Sequence, residues 1–280
     1  MKLLNRNLPP NTVPAKKLQA LIFDWAGTTV DFGCLAPART IEQVFGSFGI
    51  SLRESEIRRD MGLGKRDHIA RLLLLPEVRD AWRQLRGRLP TEEDLREIYE
   101  RFVPLQLAVL ANYSALIPGV VESVRRFRAR GLKIGTTTGY TRAMLDLLLE
   151  NSAKAGYQPD SSVSPEEVRS ARPAPFMVYE NAIRLAVSPL ASLAKIGDTS
   201  ADIEEGLNAG VWTIGVAATG NAIGLPLAEF RALPLAAQQT RIQNARAELA
   251  QAGAHYVVDS VAELDLVLDD IEQRLKSGQS

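Results

Sequence analysis

The stretch "LIFDWAGTTVD", Leu21 to Asp31, decides the fold. An apolar run of strand character ends at a carboxylate, Asp24, and the chain soon turns into the small residues Ala26, Gly27, Thr28 and Thr29. A strand that delivers an acid to a loop raises the question of what the acid is for, since in α/β sheets ligands gather at the carboxyl ends of the strands. Two residues after Asp24 stands the methyl group of Ala26.

Outward from this point, further apolar segments read as buried parallel strands: "LQALIFD" (18–24), "GLKIGTTTG" (131–139), "LAKIGDT" (193–199), "VWTIGVA" (211–217) and "HYVVDS" (255–260). Helical patterns separate them, over 119–131, 141–156, 177–187 and 200–210, the last closing on a glycine. The alternation predicts an α/β, doubly wound parallel sheet. The segment from Cys34 to about Ser114 breaks the alternation and is helical throughout. In "PTEEDLREIY" Thr91 reads as an N-cap with acids in the first turn. The division expected is a flexible extension over 1–16, an α/β core over 17–33 and 115–280, and a helical insert over 34–114.

The chain has 280 residues, 33 basic and 33 acidic, with 46% apolar and 24% charged residues. A neutral balance gives no electrostatic reason to expect nucleic acid or an acidic membrane as partner. One cysteine, Cys34, allows no intrachain disulfide, and no apolar run nears the roughly 20 residues of a membrane span. The N-terminus lacks the apolar stretch of a signal peptide. A cytoplasmic protein is expected.

The strand ends carry the chemistry. Asp24 ends the first, Thr138 and Gly139 the second, and "GDTSAD" places Asp198 and Asp202 at the end of a third, with Arg172 between. Taken singly, each has an ordinary use: the acids as helix caps, Thr138 as a buried hydroxyl, Arg172 as a surface ion pair. Taken together, carboxylates suit a hard cation such as Mg²⁺, an arginine with a hydroxyl suits phosphoryl oxygens, and a carboxylate free to attack phosphorus is a covalent catalyst.

In this set the chain resembles the haloacid dehalogenase superfamily, through "DWAGT" (24–28), Thr138, Arg172 and "GDTSAD" (197–202), with the helical insert where that superfamily places its cap. The resemblance implies that Asp24 is a nucleophile forming an aspartyl phosphate. It implies Mg²⁺ held by Asp24, Asp198 and the carbonyl of Ala26, and phosphoryl oxygens held by Thr138 and Arg172. It also implies Asp202 and Thr28 as supports behind these groups.

Ala26 then becomes informative. An ester oxygen leaves with help from a general acid, worth roughly 10²–10⁴-fold, and Ala26 removes it. A carbon leaving group needs an electron sink instead, such as an iminium formed from a lysine and an aldehyde. The insert contains one lysine, Lys65, in "MGLGKRDH" (61–68), with His68 one turn on. Its pKa of about 10.4 would have to fall, through Arg58, Arg59 and Arg66 or through burial. "DWAGT", "GCLAP" (33–37), "MGLGK", "TTGYTR" (137–142) and "GAHYVVDS" (253–260) together resemble the phosphonoacetaldehyde hydrolase branch of the superfamily, nearly end to end. That resemblance implies Lys65 as the Schiff-base residue and His68 as a candidate proton shuttle. Met61 would lie nearby, and Cys34 and Tyr140 would line the pocket. It implies phosphonoacetaldehyde as substrate and a homodimer through the cap. Trp82, Tyr99 and Phe102 are open between interface and cap interior. The alternative on the same scaffold is a phosphate-ester hydrolase or mutase.

Overall fold

The computed structural model describes residues 17–278; the predicted extension 1–16 lies outside them. Six parallel strands form one sheet: β1 Ala20–Phe23, β2 Lys133–Thr137, β3 Ser161–Val163, β4 Leu193–Gly197, β5 Trp212–Val216 and β6 Tyr256–Val258. Their order is β3-β2-β1-β4-β5-β6, the doubly wound arrangement that the alternating pattern predicts. The edge strand β3 is new. Its three residues, "SSV", carry too little apolar pattern to read as a strand.

β1 lies at the centre and is buried along its whole length. Leu21 and Phe23 pack into one core with Phe127 and Ile134, while Ala20 and Ile22 pack into another with Val178 and Leu193. Both faces are covered, so the strand reads as a continuous apolar run rather than an alternating one. Phe23 is level with Thr136 of β2 and with Ile196 of β4. This register brings the next residues of all three strands, among them Asp24, Thr138 and Asp198, to one rim.

Between β1 and β2 the chain forms helices α1 Leu35–Ser47, α2 Glu54–Arg59, α3 Lys65–Leu73, α4 Pro76–Arg86 and α5 Glu92–Leu110. Thr91 caps α5 in a capping box with Asp94, as its sequence predicts. Trp82 and Phe102 are buried in the protein's own core and Tyr99 packs against it, which decides for interior over exposed surface for the first two. The remaining helices, α6 Val120–Ala129, α7 Arg142–Lys154, α8 Phe176–Arg184, α9 Ser200–Ala209, α10 Leu227–Ala232, α11 Leu235–Gln251 and α12 Leu264–Lys276, belong to the sheet half of the chain. Gly210 ends α9 with φ of 70°, the left-handed residue expected there. Among the described residues no helix is long and apolar enough to cross a membrane.

Candidate active site

After β1 the chain folds back tightly. The Gly27 N–H donates to the Val30 carbonyl at 2.7 Å, and the Val30 N–H to the Trp25 carbonyl at 3.0 Å. Gly27 has φ of +89°, and a Cβ on it would lie 2.3 Å from Asp198 Oδ2. Both the left-handed backbone and the close carboxylate exclude a side chain here. The turn thus lets Asp198 approach Asp24 across the gap between β1 and β4.

Asp24, Asp198 and Asp202 have carboxylate oxygens within 4.8 Å of one another, all buried. Their surroundings differ. Asp198 accepts from neutral donors, Thr28 Oγ1 at 2.8 Å and the Asn221 N–H at 2.7 Å. Burial, then the charge of Asp24, push its carboxyl well above the usual range. Asp24 is raised to about 6 by burial and by Asp202, opposed by Arg172 and Lys195. Asp202 has both oxygens engaged. Oδ1 meets Arg172 Nη1 at 2.9 Å and Lys195 Nζ at 2.7 Å, and Oδ2 accepts from Thr199 Oγ1 at 2.6 Å. Burial opposes ionisation of Asp202, but the two cations and these bonds hold its pKa below the usual value.

Two adjacent buried carboxylates, one of them with only neutral partners, fit a hard divalent cation, whose charge would offset their mutual repulsion. Asp202, already neutralised by its own cations, holds Arg172 instead. Arg172 is 2% exposed and its fork is fully employed. Nη2 meets Asp24 Oδ1 at 2.8 Å and Thr137 Oγ1 at 2.7 Å, and Nε meets Glu205 Oε2 at 3.0 Å. Arg172 is therefore no surface ion pair. Lys195, Glu205 and Thr137, which the sequence reading passed over, complete the network: Lys195 Nζ lies 3.3 Å from Glu205 Oε2 and 3.0 Å from Thr137 Oγ1. A lysine inside the apolar run "LAKIG" was the available signal, because a buried charge demands a partner. Asp202 at 2.7 Å and, three residues on along the same helix face, Glu205 at 3.3 Å supply it.

Facing these groups is a cavity of about 20 Å³, room for one or two waters. From the β1 side Asp24, Ala26 and Cys34 line it, and from the β2 side Thr138 and Tyr140. Met61 and Lys65 close it from the insert, and Arg172 from below. Seven of the side chains singled out in the sequence, and the Ala26 position, thus meet in one place. Thr138 Oγ1 accepts from the Tyr140 N–H at 3.1 Å.

Lys65 opens α3 and is 6% exposed, so it is no solvated surface lysine. Its Nζ stands 4.9 Å from the centroid of the Tyr140 ring. Burial pulls its pKa below the ordinary lysine value, with Cys34 and Asp24 opposing and Arg172 adding to the fall. His68 is fully buried and does not line the cavity. Its Nε2 bonds the Ile57 carbonyl at 2.8 Å and its Nδ1 has no hydrogen-bond partner. Burial, then the charge of Lys65, lower its pKa to about 3, so it is a neutral imidazole with one free lone pair. The Cys34 thiol is pushed up by burial and is un-ionised.

The haloacid dehalogenase-like hydrolase family model matches residues 18–210. A phosphonoacetaldehyde hydrolase of Syntrophobacter fumaroxidans is 45% identical, aligned over 100% of this chain and 99% of that protein. One of Bacillus cytotoxicus is 43% identical, over 92% and 98%. A crystal structure described as a phosphonoacetaldehyde hydrolase-like protein, from Oleispira antarctica, superposes with a TM-score of 0.94 at 40% identity, over 98% of this chain and 100% of that one. A putative β-phosphoglucomutase from Bacteroides vulgatus shares the fold at a TM-score of 0.64 and 20% identity, over 94% of this chain and 92% of that one. Full-length similarity of this order places the chain in the haloacid dehalogenase-like hydrolase family, in its phosphonoacetaldehyde hydrolase branch.

Proposed function

We propose that this protein hydrolyses the carbon–phosphorus bond of phosphonoacetaldehyde, giving acetaldehyde and phosphate. The observation that carries the reading is the meeting of Asp24, Ala26 and buried Lys65 in one cavity: a nucleophile for phosphorus, no acid for an ester oxygen, and an amine for an aldehyde.

The Lys65 amine, biased towards its neutral form by burial, adds to the aldehyde carbon, and loss of water gives an iminium. Asp24 attacks phosphorus. The P–C electron pair moves onto carbon and is taken up by the iminium as an enamine, so the leaving group needs no proton on oxygen and Ala26 suffices. Protonation at carbon and addition of water release acetaldehyde and restore Lys65. A second water cleaves the aspartyl phosphate, releasing phosphate and restoring Asp24. Thr138 and Arg172 hold the phosphoryl oxygens, the arginine giving up its 3.3 Å bond to the Gly62 carbonyl of the insert while Asp202 and Glu205 keep it fixed. The resemblance gives His68 the role of a proton shuttle; its ring lies outside the cavity and burial lowers its basicity, so none of the steps above is routed through it. Asp24, Asp198 and the Ala26 carbonyl are the proposed ligands of Mg²⁺, which supplies positive charge against the phosphonate oxygens when bound.

The helical insert, 34–114, acts as a cap. The cavity is too small for the substrate, so the cap withdraws to admit it and then excludes water from the iminium. We place the protein in the cytoplasm, in keeping with its single buried cysteine, and as a homodimer through the cap, where Leu74 and Leu85 are the large apolar side chains left exposed. The test of the function is release of acetaldehyde and phosphate in equal amounts from phosphonoacetaldehyde. Turnover of a phosphate ester instead would favour the ester hydrolase.

A further inference from the structure

Asn221 follows β5 and faces two ways. Its backbone N–H donates to Asp198 Oδ2 at 2.7 Å. Its side-chain amide pairs with Arg58 of α2 in both directions: Nδ2 donates to the Arg58 carbonyl at 2.9 Å, and Oδ1 accepts from Arg58 Nη1 at 3.1 Å. Nη1 is shared with the backbone carbonyls of Gly33 at 3.0 Å and Asn221 at 3.1 Å, and Nη2 reaches that of Gly224 at 3.3 Å. Glu54 Oε1 accepts from Nε at 2.7 Å. Gly224 has φ of +68°, and a Cβ on it would lie 3.1 Å from both Arg58 Nε and Glu54 Oε1, so the loop is fitted closely to this ion pair. Neither Arg58 nor Asn221 lines the cavity. An arginine spending its fork on carbonyls of two other segments joins those segments together. Here it joins a helix of the insert to the loop that holds Asp198.

We propose that Arg58 and Asn221 are positioning residues that tie the seating of the helical insert to the orientation of Asp198, and thereby to the affinity of the site for a divalent cation. This rests on the reading of Asp24 and Asp198 as cation ligands. With α2 seated, Arg58 fixes Asn221, and the Asn221 N–H holds one Asp198 oxygen while Thr28 holds the other. With α2 displaced, Asn221 loses its side-chain partners and the carboxylate loses a fixed donor. Such coupling is reciprocal: a cation that prefers the held carboxylate also stabilises the seated insert.

Charge and geometry predict opposite signs. Arg58 carries a positive charge, and removing it strengthens cation binding by Coulomb's law alone. Loss of a positioning residue weakens binding. The experiment is calorimetric titration of Mg²⁺ alone onto the full-length protein and the variants Arg58→Ala, Asn221→Ala, the double variant, and Arg59→Ala. Arg59 pairs with the adjacent Asp60 on the surface and removes the same charge without the link. Expected is binding about 5–20-fold weaker in Arg58→Ala and Asn221→Ala, a double variant no weaker than either single one because the two act as a unit, and no weakening in Arg59→Ala. A second arm needs no variant: in the wild type, Mg²⁺ slows amide exchange over residues 54–60. Arg58→Ala and Asn221→Ala binding as tightly as the wild type or tighter, or exchange over 54–60 indifferent to Mg²⁺, overturns the link. A wild type that binds no Mg²⁺ overturns the cation reading, and the link with it.

Discussion

Asp198 and Asp202 lie four residues apart in one short motif, both buried, and their environments are opposite. Asp198 meets a hydroxyl and a backbone N–H, and its carboxyl is pushed up. Asp202 meets a guanidinium and an ammonium, and its carboxyl is held down. One carboxylate lacks a counter-charge and the other has two. The difference teaches that an acid cluster is not uniformly a metal site: the charge partners already present decide which carboxylates are available to a cation and which anchor the residues around it.

The largest effects are expected where chemistry is lost outright. Asp24→Asn removes the nucleophile, and turnover of phosphonoacetaldehyde is expected to fall by at least about 10⁴-fold. Lys65→Arg keeps a positive charge but cannot form an iminium, and turnover falls to background. Borohydride added with substrate is expected to add a stable mass increment to the wild type and none to Lys65→Arg, read by intact-mass spectrometry.

The comparison itself breaks or survives on a pair of substitutions. Asp202→Asn leaves Arg172 and Lys195 under-neutralised in the interior, and is expected to cost about 3–5 kcal/mol in urea unfolding. Asp198→Asn replaces a buried carboxyl that has no cationic partner and whose charged form burial disfavours. Its amide satisfies the same neighbours once the Thr28 hydroxyl turns to accept, so without metal the protein is expected to be as stable as wild type or more stable, with Mg²⁺ binding lost to calorimetry. Equal destabilisation by the two substitutions would erase the distinction drawn between them.

A smaller effect sharpens the description of the insert. His68 is neutral when folded, with a pKa near 3, and titrates near 6.5 when unfolded. Between these values the unfolded chain binds more protons, so stability falls as pH drops from 6.5 towards 3. The contribution is at most about 1.4 kcal/mol per pH unit. A folded His68→Gln variant should show a shallower acid loss in urea titrations at stepped pH. Smallest of all, Lys154→Ala breaks the exposed pair with Glu150 on α7, and the thermal midpoint is expected to stay within error of wild type.

Much of the site was legible because its residues stand at strand ends. A strand that stops at Asp24 and another that stops at "GDTSAD" announce themselves, and the register of β1 with β2 and β4 brings their ends together without further information. Lys65 was legible because lysine is rare in the insert and because Ala26 left a chemical gap for it to fill. Glu205 was not read, since "DIEEG" on a helix does not say which of two acids points inward. β3 was not read because three residues carry no periodicity. The pairing of Arg58 with Asn221 joins positions 163 apart, and no local pattern encodes a contact between segments so distant. Residues that act at strand ends are written in sequence order, whereas those that join the two halves of the chain belong to the tertiary structure.

The most direct test of the central claim is a single time course with wild-type protein, phosphonoacetaldehyde and Mg²⁺, following acetaldehyde and phosphate together. Equal release of both, stopped by chelating the metal and absent from Lys65→Arg, is the predicted result. Folded wild-type protein that releases neither product, or Lys65→Arg that releases both at the wild-type rate, would contradict it.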